Sequence, residues 1–278
     1  MTDRKPPRVL IIAGSDPSGG AGVQADIKTV TALGGYAAAA VTALTVQDTM
    51  GVKDVSPVAP AFIRAQIDAV LGDIGADAVK TGMIGDVAAG VAIADALNDY
   101  IKATPAGASP VPIVLDPVLA ATSGDALANE GVASLILERL APIAALITPN
   151  ADEAAALTGL PVETGEDQEA AGRALLAYGA RAALVKGGHV LGDNVTDILV
   201  THDGVQRFAN PRITTNAGHG TGCTLASAIA TGLAAGEPME IAVENAIAYV
   251  RAALAAAPGY GAGVGPLNHV FDVGPRNV

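Results

Sequence analysis

Gly218-His219-Gly220-Thr221-Gly222-Cys223-Thr224 runs directly into an Ala/Leu/Ile stretch that continues to Leu233. Alternating glycines ahead of a helix-compatible run let backbone N–H groups turn toward one point, and the start of the helix adds the positive end of its dipole. That combination suits an anion, phosphate above all. Cys223, the only cysteine of the chain, falls where this helix begins. A thiol in such a first turn is expected to have a lowered pKa and to act as a base or nucleophile. The competing reading is a small buried cysteine beside a tight turn.

Outward from this loop, strands alternate with helices along the whole chain. Val9–Ile12 reads as a continuous apolar strand ending in Ala13-Gly14, followed by the loop Gly14–Gly20 and a helix over Ala21–Leu33, with Val23, Ile27 and Val30 on one face and Gly34-Gly35 stopping it. The spacing then predicts a strand over Tyr36–Leu44, a helix over Pro60–Leu71, a short strand Ala78–Lys80 and a helix Val87–Leu97. Next come a strand Pro112–Leu115, a helix Glu130–Leu140, a strand Ala145–Ile147, helices Asn150–Leu157 and Glu166–Tyr178, and a strand Ala182–Lys186. Val195–Thr201 and Val205–Phe208 form a predicted β-hairpin, helices Gly222–Ala235 and Met239–Ala256 follow, and the tail from Pro258 is Gly-rich and irregular. Alternation of this kind implies an α/β chain with a mostly parallel sheet covered on both faces. No linker or repeat divides it, so residues 1–278 are expected to form a single domain.

Composition narrows the function classes. The 278 residues are 50% hydrophobic and 16% charged, with five Tyr, three Phe and no Trp, so the core is built from aliphatic side chains. A net charge of −12 argues against nucleic acid or anionic membrane as partner. A lone cysteine, a polar N-terminus that leads straight into a strand, and no apolar run of about 18 residues point to a cytoplasmic protein. An Ala-rich edge near the second strand suggests a homodimer.

In an open α/β sheet, ligands bind beyond the carboxyl ends of the strands. The residues there are Gly14 and its loop, Thr45 and Gln47, Lys80 with Gly82 and Met83, Asp116, Thr148 with Asn150 and Glu153, Lys186-Gly187-Gly188-His189, and the Cys223 loop. Each has a plainer alternative. Asp116 before Pro117 fits a turn, Asn150 with Glu153 fits a capping box, and Lys186 fits a solvated strand end. The four histidines show no metal-ligand spacing, and no structural zinc site is expected. The Gly14 loop has Gly19-Gly20 where a Walker A motif needs Gly-Lys, and Gly218-x-Gly220-x-Gly222 lacks Rossmann spacing. An anion loop with carboxylates on other strand ends, able to hold hydrated Mg²⁺, remains, an arrangement that suits phosphoryl transfer.

The same residues carry a resemblance. Ala13-Gly14-Ser15-Asp16-Pro17-Ser18-Gly19-Gly20 through Lys28, Thr42–Thr49, Lys80-Thr81-Gly82-Met83, Val114-Leu115-Asp116-Pro117-Val118, Thr148-Pro149-Asn150-x-x-Glu153, Lys186–His189 and His219–Thr224 resemble the hydroxymethylpyrimidine/phosphomethylpyrimidine kinases of thiamine biosynthesis. Gly263-x-Gly265-Pro266 with His269 resembles that family's tail. The resemblance implies a three-layer α/β/α ribokinase-like fold with an edge β-hairpin. It also implies a kinase that uses ATP and Mg²⁺ to phosphorylate an aminopyrimidine alcohol and then its monophosphate. Carried over, Gly14, Asp26, Gln47, Met83 and Val118 would line the pyrimidine pocket. Gly220, Thr221 and Gly222 would hold the transferring phosphoryl group, Cys223 would be the base and Lys186 would neutralise phosphate. Thr148 and Asn150 would face the nucleotide, and Asp116 and Glu153 would hold Mg²⁺ directly or through water. Asn216-Ala217-Gly218 stands where the family usually has Lys-Asn-Ser/Thr, which removes side-chain contacts to nucleotide or a monovalent cation. A pyridoxal kinase of the same fold is the alternative.

Overall fold

Fully apolar strands of β-branched and aliphatic residues cannot face water on either side, and here they build the middle of a sheet. The structure, a computed structural model, describes residues 5–121, 124–125, 127–129, 131–188, 190 and 192–272. The predicted helix start at Glu130 and His189 of the Lys186–His189 motif lie outside the described residues.

In chain order the elements begin β1 (Arg8–Ser15), α1 (Gly22–Ala32), β2 (Tyr36–Asp48), β3 (Gly51–Pro57), α2 (Pro60–Asp73), β4 (Ala78–Thr81), α3 (Val87–Lys102) and β5 (Ile113–Leu115). They continue with α4 (Val132–Leu135), β6 (Leu146–Ile147), α5 (Ala151–Thr158), α6 (Gly165–Ala177), β7 (Ala182–Val185), β8 (Asn194–Thr201) and β9 (Val205–Pro211). The chain closes with β10 (Ala217–His219), α7 (Thr221–Ala234), α8 (Met239–Ala255) and β11 (Gly265–Pro266).

Nine strands form one sheet in the order β3-β2-β1-β4-β5-β6-β7-β8-β9. From β2 to β7 the pairs are parallel; β3 on one edge and β8–β9 on the other are antiparallel. The chain leaves β1 for β2 on one side and returns to β4 on the other, so a crevice opens beyond the end of β1. Alternation along β1 separates two cores. Leu10 and Ile12 pack with Ile63, Ile67, Ile93 and Leu97 of α2 and α3, whereas Val9, Ile11 and Ala13 pack with Leu225, Ile229 and Val243 of α7 and α8. Each fully buried Leu or Ile contributes about 1.5–3 kcal/mol relative to exposure.

Several elements differ from the sequence expectation. β2 runs on to Asp48 and pairs with β3, which was not expected. Lys53 and Asp54 leave β3 no apolar run, and such charges are what keeps an edge strand from pairing further. β3 pairs only with residues 43–48 of β2, so the Ala-rich stretch 37–40 is paired by β1 alone and its other side stays an edge of the sheet. The helix expected over Glu130–Leu140 is α4 followed by a π-helical turn, Ile136–Leu140, whose wider winding still buries Ile136, Leu137 and Leu140. The tail is not wholly irregular: β11 pairs with β10, and the buried His269 meets Thr224 Oγ1 at 3.0 Å. Burial, assisted by Lys28, pushes the His269 imidazole down to about 4, so the tail is fastened by a neutral ring.

Beneath the crevice a charged pair joins three elements. Asp26 of α1 and Lys80 of β4 are both 0% exposed. Lys80 Nζ lies 2.9 Å from each Asp26 carboxylate oxygen, and Ser227 Oγ of α7 donates to Asp26 at 2.7 Å. Burial works against the ammonium, but the charge of Asp26 outweighs it and holds Lys80 above its usual range. Asp26→Asn therefore strands a buried cation, and chemical denaturation should show a loss of about 3–5 kcal/mol. The double variant Asp26→Leu/Lys80→Met should lose clearly less; equal losses would mean the side-chain volumes, not the charges, set the cost.

Candidate active site

Two glycine loops from opposite ends of the chain meet at the crevice. Asp16 organises the first of them, between β1 and α1. Its carboxylate accepts from Ser18 N–H, Ser18 Oγ and Ala21 N–H, each at 2.8 Å, and from His219 Nε2 at 2.7 Å. Burial opposes ionisation of Asp16, yet these donors, His219 foremost, outweigh it and hold the carboxyl below its usual range. The second loop enters α7 through Gly220, whose φ of 82° a side-chain-bearing residue rarely adopts. A Cβ on Gly220 would also collide with the carbonyl oxygen of Gly20, so the two backbones touch. No side chain caps α7, which leaves the first-turn N–H groups, Thr221 to Cys223, directed outward.

These N–H groups face a cavity of about 770 Å³. Gly14, Gln47, Met83 and Val118 line one part of its wall. Gly14 is in close contact with Met83, since a Cβ there would lie 2.9 Å from Met83 Sδ. Gln47 lies within β2, beyond a register shift, and Thr45 Oγ1 donates to its amide oxygen at 3.2 Å. Asp116, Asn150, Glu153 and Lys186 line the floor, and Gly220, Thr221, Gly222 and Cys223 the far wall.

Lys186 lies against the helix start. A Cβ on Gly222 would lie 3.1 Å from Lys186 Nζ and 3.8 Å from Asp116 Oδ2. Lys186 Nζ meets Asp116 Oδ1 at 3.3 Å and Glu153 Oε2 at 3.9 Å. Burial disfavours the ammonium, but Asp116 and Glu153 outweigh it and raise its pKa. Glu153 is raised by burial and drawn back by Lys186. Asp116 Oδ2 is buried with no hydrogen-bond partner among the described residues. An anionic oxygen left bare beside a phosphate-sized opening fits a hard divalent cation that keeps its waters and phosphate ligands. Among the described residues no group of three or more His, Cys, Asp or Glu is placed to hold a metal ion by itself.

Several sequence expectations change. Asp26 does not reach the cavity; its carboxylate is committed to Lys80 and Ser227 below it. Thr148 is buried and donates to Asp116 Oδ1 at 3.2 Å instead of lining the wall. Asn150 and Glu153 form the full capping box of α5, with Glu153 Oε2 accepting from Asn150 N–H at 2.8 Å, so Glu153 reaches the site chiefly through Lys186. The thiol of Cys223 is not lowered. Burial pushes it up to about 11, Asp26 and Asp116 add to the rise, and Lys80 offsets only part of it.

The sequence reading missed the far end of the cavity, where Ile247, Val250 and Leu254 line the wall with Val195 and Ile213. The i, i+3, i+7 spacing in α8 was the available signal, but it is equally that of a core-facing helix.

This geometry has close parallels. The family profile described as "Phosphomethylpyrimidine kinase" matches residues 16–268. The chain is 45% identical over 264 residues to a hydroxymethylpyrimidine/phosphomethylpyrimidine kinase of Rhizobium meliloti, covering 94% of this chain and 96% of that protein. It is 47% identical over 263 residues to the thiamine biosynthesis bifunctional protein ThiED of Geobacter sulfurreducens, covering 95% of this chain but 52% of that longer protein. Among solved structures, the pyridoxal kinase of Staphylococcus aureus in complex with AMP-PCP and pyridoxal superposes with a TM-score of 0.84 at 32% identity, covering 96% of this chain and 94% of the other. The chain belongs to the phosphomethylpyrimidine kinase family, a family of phosphotransferases.

Proposed function

We propose that this chain, acting as a single cytoplasmic kinase domain, transfers the γ-phosphoryl group of ATP to 4-amino-5-hydroxymethyl-2-methylpyrimidine and then to its monophosphate, yielding the diphosphate for thiamine biosynthesis. The observation that carries this reading is the uncapped start of α7, with Lys186 and the bare Asp116 oxygen beside it, facing a cavity with two dissimilar ends. Around Gly14, Gln47, Met83 and Val118 the wall presents a polar amide among apolar contacts, which suits a small aromatic heterocycle. At the other end, the aliphatic strip of α8 suits a nucleotide base. Nothing in this chemistry calls for nucleic acid or a membrane, and among the described residues no helix is long and apolar enough to cross one.

In the first step the alcohol oxygen bonds to the γ-phosphorus as the bond to the β–γ bridging oxygen breaks, releasing ADP. In the second, an oxygen of the pyrimidine monophosphate attacks in the same way. The N–H groups of α7 and the ammonium of Lys186 meet the charge spread over the transferring oxygens. Asp116 would hold Mg²⁺, with Glu153 and Asn150 behind it; when bound, that ion neutralises phosphate charge. Cys223 receives the alcohol proton as its thiolate. With the thiol raised to about 11, the thiolate is a minor form near neutral pH and grows about tenfold per pH unit.

Two measurements test this. The first compares kcat/KM for the pyrimidine alcohol, its monophosphate and pyridoxal with ATP and Mg²⁺. Turnover of both pyrimidines above pyridoxal is expected; a preference for pyridoxal would favour the second reading, which the Staphylococcus aureus similarity supports. The second compares pH profiles of kcat. Wild type should rise from pH 7 to 9, while Cys223→Ser should fall by about 100-fold or more with ATP affinity retained. A normal serine variant would leave the thiol a structural role only.

We also propose a homodimer through the β2–β3 projection, where Leu44, Val46 and Met50 are 55%, 55% and 66% exposed. Sedimentation equilibrium should give twice the chain mass, and Val46→Glu should give the monomer; a monomeric wild type refutes the assignment.

A further inference from the structure

The contact between His219 and Asp16 spans 203 positions of sequence and joins two loops that both line the cavity. Both side chains line the cavity and both are nearly inaccessible, at 5% and 2% exposure. Resting on the kinase reading above, we propose that His219 is a positioning residue for phosphoryl transfer. Its hydrogen bond to Asp16 registers the loop beside the acceptor alcohol against the loop that grips the phosphoryl group.

Each loop is already folded without this bond. Asp16 keeps its three donors from Ser18 and Ala21, which close its own turn. The entry to α7 is held by Thr224 N–H on the Gly220 carbonyl at 2.9 Å, by Thr221 Oγ1 on the Gly218 carbonyl at 3.1 Å, and by the β10–β11 pairing. What the His219 bond adds is the relation between them. The ring occupies the space where a Cβ of Gly20 would lie, with Pro266 alongside, and the next residue, Gly220, touches the Gly20 carbonyl. A shift of either loop along the other therefore breaks the bond and opens the backbone contact together.

The chemistry makes the bond persistent. An ionised Asp16 only accepts, so His219 Nε2 must carry the proton. The function of the bond is steric register. Register matters because an acceptor oxygen misplaced by about 1 Å costs about 100-fold in rate, and a phosphoryl group held apart from its alcohol is open to water.

The test compares wild type with His219→Phe, which keeps a ring but no donor, and His219→Gln, whose amide can place a donor near the Nε2 position. Four quantities are read: kcat with the pyrimidine alcohol, ATP affinity, melting temperature, and the ratio of ADP formed to alcohol phosphorylated. His219→Phe should lower kcat by about 10- to 100-fold. Its ATP affinity should be unchanged, and its ratio should rise above one as water replaces the alcohol. His219→Gln should restore a ratio near one and most of kcat. If His219→Phe is too unstable to assay, Asp16→Asn should give the same uncoupling, because its amide weakens the bond from the other side. Variants that slow in step with lost melting temperature while the ratio stays at one would overturn the proposal, as would a fully active His219→Phe. A wild-type enzyme inactive on both pyrimidine substrates would instead defeat the kinase reading on which the proposal rests.

Discussion

The site depends on a backbone contact that only glycine permits. Gly20 and Gly220 come from opposite ends of the chain and meet without side chains between them, because a Cβ on Gly220 would strike the Gly20 carbonyl and one on Gly20 would strike the His219 ring. Once they meet, the start of α7 is fixed against the end of β1. The open N–H groups of that helix then face the same volume as Gly14 and Met83. The sheet supplies the frame: a topological switch at β1 opens the crevice, and the strand ends deliver Asp116 and Lys186 to its floor.

Charge is distributed in two layers beneath this contact. Below the cavity, Lys80 and Asp26 cancel each other out of reach of water, tying α1, β4 and α7 together. At the cavity floor, Lys186 shares itself between Asp116 and Glu153 and leaves one Asp116 oxygen bare. The lower pair is complete and therefore structural; the upper set is incomplete and therefore able to bind. The same lower layer explains the thiol. Cys223 sits at a helix start, which favours a thiolate, but burial and the carboxylates of Asp26 and Asp116 dominate and raise it.

Much of this was legible in the sequence. Apolar runs gave the parallel strands, and glycines with a following helix-compatible run gave the anion loop, because both signals are local. What escaped is what depends on partners far away in the chain. Asp26 matches a family motif, and nothing in its neighbours announces that Lys80 will claim both its oxygens. β3 is charged because it is an edge, so it lacks the pattern that marks an interior strand. The capping box at Asn150 and Glu153 was readable as such, and it coexists with the site because α5 begins where β6 ends. Nothing in the sequence around His219 points to Asp16; the bond exists only because the fold brings the two ends of the chain together.

In the kinase proposed above, the phosphoryl group in transit would rest on the start of α7, between an alcohol held near Gly14 and Met83 and a nucleotide lying along α8. A crystal structure of the protein with ADP, Mg²⁺, the pyrimidine alcohol and aluminium fluoride as a planar phosphoryl mimic tests it most directly. The mimic should lie within hydrogen-bond distance of the Gly222 and Cys223 N–H groups and of Lys186 Nζ, with the alcohol oxygen in line. A mimic bound elsewhere in the cavity, with those N–H groups facing solvent, would contradict it.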